Sequence, residues 1–391
     1  MKVIIIGAGI AGLTFGLACQ QAGWDVRIIE KAKKLECIGG GILLWPHGLR
    51  YLESLGLVDC LRSVQMSATR MNIVGHRGQV VYSEAHAELY RKLEGEILPV
   101  DRSEVQQRLV ALLNEGVLSL GVSCTAIEEK DDGAYVMFDD GTEARADLVV
   151  GADGIHSSVR AAINPSAQPQ YAGFCWWGGM IDRSVVPHFP VDEVQFILGQ
   201  NKLCSIWPAH GERFMWYLPV KMPLSAFNQA CDGQVQAQEI CNGWHDDVVS
   251  IITAPQTTQR FHLPIDELAP GQLMTKGRTV LIGDAACASG PLLGQGANRA
   301  IEDAYVLVNS LKCDTSDVPQ QLLSYAKKRL PRHQRFFELE HLSSDALMHE
   351  SLEALMYFEE QLPHINLSLM YQDMIPLVNK EACDNLLSEA V

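Results

Sequence analysis

The residues best suited to chemistry stand at the start of the chain. Gly7, Gly9 and Gly12 have G-x-G-x-x-G spacing, with Ala11 beside the last, directly after the apolar run KVIII at positions 2–6. Such a β-branched run suits a strand buried on both faces. The stretch from about Leu13 to Ala22 reads as a helix, and Asp25 to Ile29 as a second strand ending in Glu30. Each glycine has its own duty: Gly7 permits a tight turn, Gly9 lets backbone approach a pyrophosphate, and Gly12 lets the helix lie against the strand. The helix start offers free N–H groups and the positive end of its dipole to phosphate oxygens. Glu30 is placed to accept hydrogen bonds from ribose hydroxyls. Strand, turn, helix, strand and acid in this order predict dinucleotide binding, without separating FAD from NAD.

Two later segments repeat this logic. The run DLVV at 147–150 reads as a buried strand leading into Gly151-Ala152-Asp153-Gly154. The run RTVLI at 278–282 leads into Gly283-Asp284, then through Pro291, Leu292 and Leu293 to Gly294, Gly296, Ala297 and Asn298, with a helix expected from near Arg299. Crevices outside strand ends are where α/β sheets bind ligands. The alternative is that Asp153 and Asp284 cap the helices that follow.

With these motifs in this order, the chain resembles the FAD-dependent aromatic hydroxylases, the class A flavoprotein monooxygenases of the p-hydroxybenzoate and salicylate hydroxylase group. Arg102 in VDRSEVQQRL and the late segment LLSYAKKRLPR add to the resemblance, which spans nearly the whole chain. The stretches YAGFCWWGG and ERFMWYLPV bring it near the flavin-dependent urate hydroxylases. The resemblance implies FAD as cofactor, NADH or NADPH as reductant, and hydroxylation of a small aromatic or heteroaromatic substrate with O2 through a flavin C4a-hydroperoxide. It implies Glu30 on the adenosine ribose, Gly9 and Arg102 near the adenosine–pyrophosphate end, and Asp284 on the ribityl chain. Asp153 would serve flavin and nicotinamide binding. Gly294, Gly296, Ala297 and Asn298 would cradle the pyrimidine edge of the isoalloxazine, where N–H groups at a helix start stabilise negative charge. Pro291 would shape the oxygen side of the ring. No protein nucleophile is required, and for a phenolic substrate no residue stands out as the base.

The chain also departs from the family pattern. Cys287 replaces a frequent histidine, and Trp177-Gly178-Gly179 replaces a frequent Trp-Arg-Gly. Leu203, Met215 and Leu292 are apolar where urate hydroxylases carry polar substrate contacts, which speaks against urate. The same scaffold supports halogenases, epoxidases and reductases, and a non-catalytic flavoprotein redox sensor is a further reading.

The elements that must position these residues follow from periodicity. Segments at 79–84 and between about 171 and 263, including EVQFILG, LCSIWPA, RFMWYLPV and QRFHLPI, alternate apolar and polar residues as half-buried antiparallel strands do. The expected fold is α/β. A discontinuous Rossmann-like FAD domain (1–70, 96–165, 270–320) is interrupted by an antiparallel β-sheet substrate domain (71–95, 166–269), with a C-terminal helical region (321–391). Trp177, Trp207, Tyr217 and Pro291 are candidates for the substrate pocket, although alternation does not say which sheet face meets the flavin. His210, Arg213 and His262 are the polar groups available there. A mostly apolar pocket fits a planar, weakly charged substrate.

Lys327, Lys328 and Arg329, with Arg332 and Arg335, read as the solvated face of a helix. The stripe Leu347, Met348, Leu352, Leu355, Met356, Phe358 and Leu362 suits packing against the body or against a second copy in a homodimer. Thirty-one basic against 47 acidic side chains give a net charge of −16, which argues against nucleic acid as a partner. No run is long and apolar enough to predict a membrane span. Eleven cysteines without a CxxC pair or metal-like spacing suit reduced thiols in the cytoplasm and predict no metal site.

Overall fold

An apolar strand between glycine turns and helices buries itself most readily inside a parallel sheet. Residues Lys2–Ile6 do so as β1, buried from Val3 onward. In the computed structural model, which describes residues 1–35, 40–62, 68–209, 211–229, 233–271, 273–313, 316–364, 373–382 and 385, β1 pairs in parallel with β2 (Asp25–Glu30) and with β11 (Leu148–Gly151). Beyond β2 stands β7 (Leu118–Leu120); beyond β11 stand β18 (Thr279–Leu281) and the antiparallel edge strand β17 (Thr275–Lys276). Ile6 is in register with Gly151, and Gly151 with Leu281. All three glycine motifs therefore leave neighbouring strands at the same level and open on one edge.

Helix α1 (Ile10–Gln21) starts earlier than Leu13, because Gly9 is its N-cap and Gly12 lies inside its first turn. Residues Ile10 to Cys19 are all buried, as a helix between a sheet and a second helix must be. That second helix is α10 (Gly296–Cys313), which also begins a turn before the expected Arg299. A ribbon of β3 (Gly41–Leu44) and β6 (Leu98–Asp101), a small sheet of β8 (Cys124–Lys130), β9 (Gly133–Phe138) and β10 (Glu143–Ala146), and the helices α2 (Pro46–Ser54), α3 (Asp59–Arg62), α5 (Arg102–Ala111) and α6 (Ser158–Ile163) complete this part.

The alternating segments form a seven-stranded sheet. Its order is β16 (Thr258–Glu267), β12 (Gln170–Asp182), β15 (Arg213–Lys221), β14 (Lys202–Ala209), β13 (Glu193–Gly199), β4 (Arg70–Val74) and β5 (Val80–Ala85). All neighbours are antiparallel except β13 and β4. Helix α4 (His86–Leu93) follows β5 directly. One sheet face is covered by α7 (Leu224–Gln229), α8 (Gly233–Cys241) and α9 (Asp246–Thr253), in a span that alternation had assigned to strands. Ala237 with Cys241, and Val248 with Ile251 and Ile252, recur at helical spacing and bury themselves against Cys175, Trp177 and Trp216.

Two long helices close the molecule. Helix α11 (Val318–Leu347) crosses α10, and α12 (Leu352–Gln361) follows after a break at 348–351, where Ser351 caps the new helix. Met348, Leu355 and Leu362 of the expected apolar stripe pack with Ile73, Phe174 and Leu198 of the sheet, whereas Leu352 and Met356 are exposed.

The basic run of α11 is solvated only in part: Lys327 is exposed, whereas Arg329 turns inward. Arg329 is fully buried, where it donates to Asp303 at 2.6 Å and also pairs with Glu302; Arg332 adds a second bond to Glu302 at 2.9 Å. His333 Nε2 lies 3.1 Å from Asp303, and His47 of α2 lies 3.9 Å from Glu302. Burial by itself would raise both carboxyls. Arg329 and Arg332 outweigh it and hold Glu302 at about 2, while His333 and Arg329 hold Asp303 lower still. Asp303→Asn leaves Arg329 short of its counter-charge and should cost about 3–5 kcal/mol of unfolding free energy. Urea denaturation checks this, and a loss below about 1 kcal/mol, the value of an exposed pair, would refute it.

Candidate active site

The first turn is shaped by close approach. Gly7 has φ +109°, and a Cβ there would lie 2.3 Å from the Ala152 carbonyl oxygen. A Cβ on Gly12 would lie 2.0 Å from the Gly7 oxygen, so only glycine fits at either position. Gly9 is the opposite case: a Cβ there meets nothing within 4 Å. Helix α1 has neither a side-chain cap nor an acid in its first turn, so its unsatisfied N–H groups face that open space. Ala11 packs beneath the Gly283 turn, where a Cβ on Gly283 would come within 3.0 Å of the Ala11 methyl.

Glu30 ends β2 at the same edge. Its carboxylate accepts the Ala8 and Ala32 N–H groups, each at 2.9 Å. Gln106 of α5 donates to the Ala8 carbonyl at 2.8 Å and so holds the turn from the other side; no motif had singled it out. Arg102, the first residue of α5, is exposed, and its backbone N–H bonds Gly40.

The two motif aspartates differ. Asp153 accepts the Ser158 N–H at 2.7 Å, the Ser158 hydroxyl at 2.9 Å and the hydroxyl of Ser157, and Ser157 itself caps α6 by accepting the Arg160 N–H at 2.9 Å. Asp284 sits in the short turn Gly283–Ala285, exposed, with no hydrogen-bond partner among the described residues. Its carboxylate is open to a ligand. Gly283 donates its N–H to Asp303 at 2.8 Å, so the buried charge cluster sets the position of this turn.

The last glycine segment is fastened from two helices. A Cβ on Gly296 meets nothing within 4 Å, so the start of α10 opens on free space as α1 does. Asn298 is buried with its amide engaged: it accepts Trp45 N–H at 2.8 Å and donates to the Leu43 and Gly294 oxygens at 2.8 and 2.9 Å. The side chain thus ties β3 to the loop, leaving backbone N–H groups, rather than the amide, to face the open space. Arg299, buried in α10, donates to Cys287 at 3.4 Å and Ser289 at 3.0 Å. From α11, the buried Glu340 accepts the Leu292 and Leu293 N–H groups at 2.7 and 3.0 Å. Burial pushes Glu340 up to about 7, against the pull of those two bonds and of Arg299. Burial likewise raises the Cys287 thiol, which is therefore neutral.

Between this loop and the second face of the seven-stranded sheet lies a cleft holding about 940 Å³ of empty space, part of it open to solvent. Leu43, Trp45, Phe196, Trp207, Leu292 and Leu293 form much of its wall, and its polar groups come from His86, Tyr90 and Ser343. Among the described residues, no acid, lysine or arginine lines it.

Of the expected pocket residues, Trp207 lines the cleft and Pro291 belongs to the fastened loop. Tyr217 shares the sheet face of Trp207, but its hydroxyl accepts the Gly41 N–H at 2.7 Å and donates to the Gly41 oxygen at 3.0 Å. Trp177 does not belong to the pocket. It points to the helix-covered face, where its indole N–H donates to Gly233 at 2.9 Å, and alternation gives the cleft side to Trp176. His262 stands opposite Trp177 on that far side, Arg213 starts β15, and His210 lies outside the described residues. Leu203 and Met215 are buried in packing, whereas Leu292 reaches the cleft. Sequence reasoning missed His86, Tyr90 and Glu340. Among the described residues no helix is long and apolar enough to cross a membrane, and no group of His, Cys, Asp or Glu is arranged to hold a metal.

The family described as "FAD binding domain" matches residues 1–339. The chain belongs to this family. It is 34% identical to 3-amino-4-hydroxybenzoate 2-monooxygenase of Streptomyces cremeus, over 85% of this chain and 84% of that protein. It is 31% identical to an FAD-dependent urate hydroxylase of Klebsiella pneumoniae, over 85% of this chain and 86% of that protein. The crystal structure of Klebsiella pneumoniae HpxO complexed with FAD and uric acid superposes with a TM-score of 0.86 at 27% identity, covering 99% of this chain and 97% of that one. The chain is a flavoprotein monooxygenase, with FAD as its cofactor.

The geometry of this flavoprotein fits that cofactor. Open space at Gly9 and Gly296 lies beside two uncapped helix starts, where phosphate oxygens and an electron-rich ring edge are favoured. Gly9→Val fills the first space and should leave the purified protein with little FAD; unchanged yellow colour would refute that role. Glu340→Gln tests the loop clamp. Because the folded pKa is raised, the wild type should lose stability relative to Glu340→Gln as pH rises from 4.5 to 7 and change no further above. The change should be roughly 3 kcal/mol, read from urea unfolding of both proteins across that range; a pH-independent difference would count against it.

Proposed function

We propose that this flavoprotein uses NADH or NADPH and O2 to insert one oxygen atom into a planar, uncharged aromatic or heteroaromatic substrate held in the apolar cleft. The observation carrying this reading is that Leu292 and Leu293, which line the cleft, run directly into the Gly294–Asn298 segment at the start of α10. Substrate and flavin ring would thus share one wall.

When bound, FAD supplies hydride acceptance from the nicotinamide and activation of oxygen. The chain's own residues do the rest. Gly9 and the start of α1 receive the pyrophosphate, Glu30 the adenosine ribose and Asp284 the ribityl hydroxyls. The N–H groups of Gly296 and Ala297, at the open start of α10, would stabilise the electron-rich edge of the ring. Glu340 and Arg299 keep Pro291 and its neighbours fixed against that ring. Trp45, Phe196 and Trp207 keep water from the reacting atoms, which protects a reactive oxygen donor from breakdown.

The lining also bears on substrate charge. 3-Amino-4-hydroxybenzoate carries a carboxylate, and burying an unpaired charge is costly. Among the described residues, the cleft offers no lysine or arginine to meet one. The test is NADH and NADPH consumption by FAD-loaded protein across phenols, indoles, purines and pyridines, each with a carboxylated counterpart. Neutral members should accelerate consumption and yield a product one oxygen atom heavier, labelled by 18O2. Bound flavin with no accelerated oxidation or labelled product would overturn the reading.

A further inference from the structure

We infer that His86 accepts a hydrogen bond from an O–H or N–H of the substrate through Nε2, and takes the proton when that group is a phenol. The inference rests on the proposed hydroxylation, for which neither sequence motif nor flavin turn supplies a base.

The tautomer follows from its neighbours. His86 lines the cleft, and its Nδ1 lies 2.9 Å from the Ala68 carbonyl oxygen. A carbonyl can only accept, so Nδ1 carries the hydrogen, and in the neutral ring Nε2 is left with a lone pair. The Tyr90 hydroxyl, 3.5 Å from Nδ1, does not compete, because it donates to the Ile97 oxygen at 3.0 Å. Among the described residues Nε2 has no hydrogen-bond partner. The ring is held firmly: its backbone N–H bonds the Thr69 oxygen, and the Tyr90 ring packs 5.5 Å away.

Charge state agrees with geometry. Burial lowers the imidazole below its ordinary 6.5, more than the Ala68 bond and the Glu84 carboxylate raise it, so the ring is neutral at neutral pH. Tyr90 is pushed up to about 12, chiefly by burial, and stays protonated. Nearby charged groups include Glu84 on β5 and Lys92 on α4, which pair with each other at 2.7 Å, Glu88, 3.9 Å from Lys92, and Glu96, which acts on Tyr90. Ser343, the remaining polar lining residue, is a weak donor and acceptor with no basicity in this range. Among the described lining residues, His86 is thus the side chain able to accept a proton near neutrality.

The proton step balances simply. The substrate O–H bond breaks, its electron pair stays on oxygen and enriches the ring carbons, and the proton forms the Nε2–H bond of an imidazolium. Glu84 favours that cation electrostatically. The imidazolium returns the proton to the product oxygen before release. An aromatic amine or indole N–H would use the same nitrogen without transfer.

The experiment uses FAD-loaded full-length protein and a panel of hydroxy- and amino-naphthalenes, quinolines and indoles, each paired with its O- or N-methyl derivative. Binding is read from the perturbed absorbance of bound flavin. In the wild type at least one donor compound should bind about tenfold tighter than its methylated partner. His86→Phe should abolish that preference with FAD content unchanged, while His86→Gln, which keeps an acceptor, should retain part of it. For a hydroxylated phenol, the wild-type rate should rise through a pKa below 6.5. In His86→Gln the rise should move several units up, toward the pKa of the phenol. No donor preference anywhere in the panel, or a preference and pH profile that survive His86→Phe, would overturn the inference. Labelled product with the preference intact in His86→Phe sinks His86 and leaves the monooxygenase standing. Donor-dependent binding without oxygen insertion sinks the monooxygenase reading instead.

Discussion

A buried cluster of charges between two helices governs where everything else falls. Glu302 and Asp303 on α10 meet Arg329, Arg332 and His333 on α11, with Glu302, Asp303 and Arg329 fully buried. Charges out of water tolerate little misalignment, since an unpaired member keeps its full desolvation cost. The helices are therefore held in one register, and the cluster reaches beyond them. Asp303 also accepts the Gly283 N–H, tying the turn that presents Asp284 to the same fixed point. Farther along these helices, Arg299 and Glu340 then land on opposite ends of one loop, the loop between cofactor and cleft.

A second constraint meets the first at that turn. The Gly7, Ala152 and Gly283 segments are packed so closely that side chains have no room between them, and Ala11 fills the last gap with one methyl. Sterics exclude the protein from the space beside Gly9, and two uncapped helix starts leave N–H groups facing outward there and at Gly296. What remains at the strand ends is open space beside the N–H groups of the α1 start. A long anionic cofactor fits such a space because donors and dipoles are fixed before it arrives.

The legibility of this arrangement tracks the range of the interactions. Glycine turns are local, so Gly7, Gly9, Gly12 and Glu30 announced the first motif, and alternation gave β13 to β16 nearly residue by residue. Which face of that sheet meets the flavin depends on what packs behind it. Trp177 therefore stood among the pocket candidates although it lies on the helix-covered face, because α7 to α9 were themselves hidden among residues that alternate. Arg329 misled for a related reason, since a basic run looks solvated until its partners, 26 and 27 positions earlier, are known. A signal was nevertheless present. The buried stripe of α11 runs Val318, Leu322, Tyr325, Arg329, His333, Phe336, Glu340, so two charges and a histidine occupy positions that the helical period reserves for apolar side chains. A charge on a core stripe implies a buried counterpart. His86 gave no such sign; it is the first residue of a short helix, and the cleft it lines is assembled from β4, β13, β14 and α11.

The division between strand ends and cleft has a chemical consequence. The strand-end side presents an exposed carboxylate at Asp284 and free backbone donors at the start of α1, groups suited to a polar ligand. Among the described residues, the cleft presents hydrocarbon, two indoles, one neutral imidazole and two hydroxyls. Apolar walls discriminate poorly between ligands of similar shape, about 1–3 kcal/mol per methylene, whereas a polar group left unmatched in such surroundings discriminates far more sharply. Selectivity in this molecule then depends less on the many residues that enclose the substrate than on the few polar atoms among them. The loop between the two regions must stay rigid for those atoms to keep their distance from the flavin. That rigidity traces back to the buried charges, whose pairing holds both helices in place.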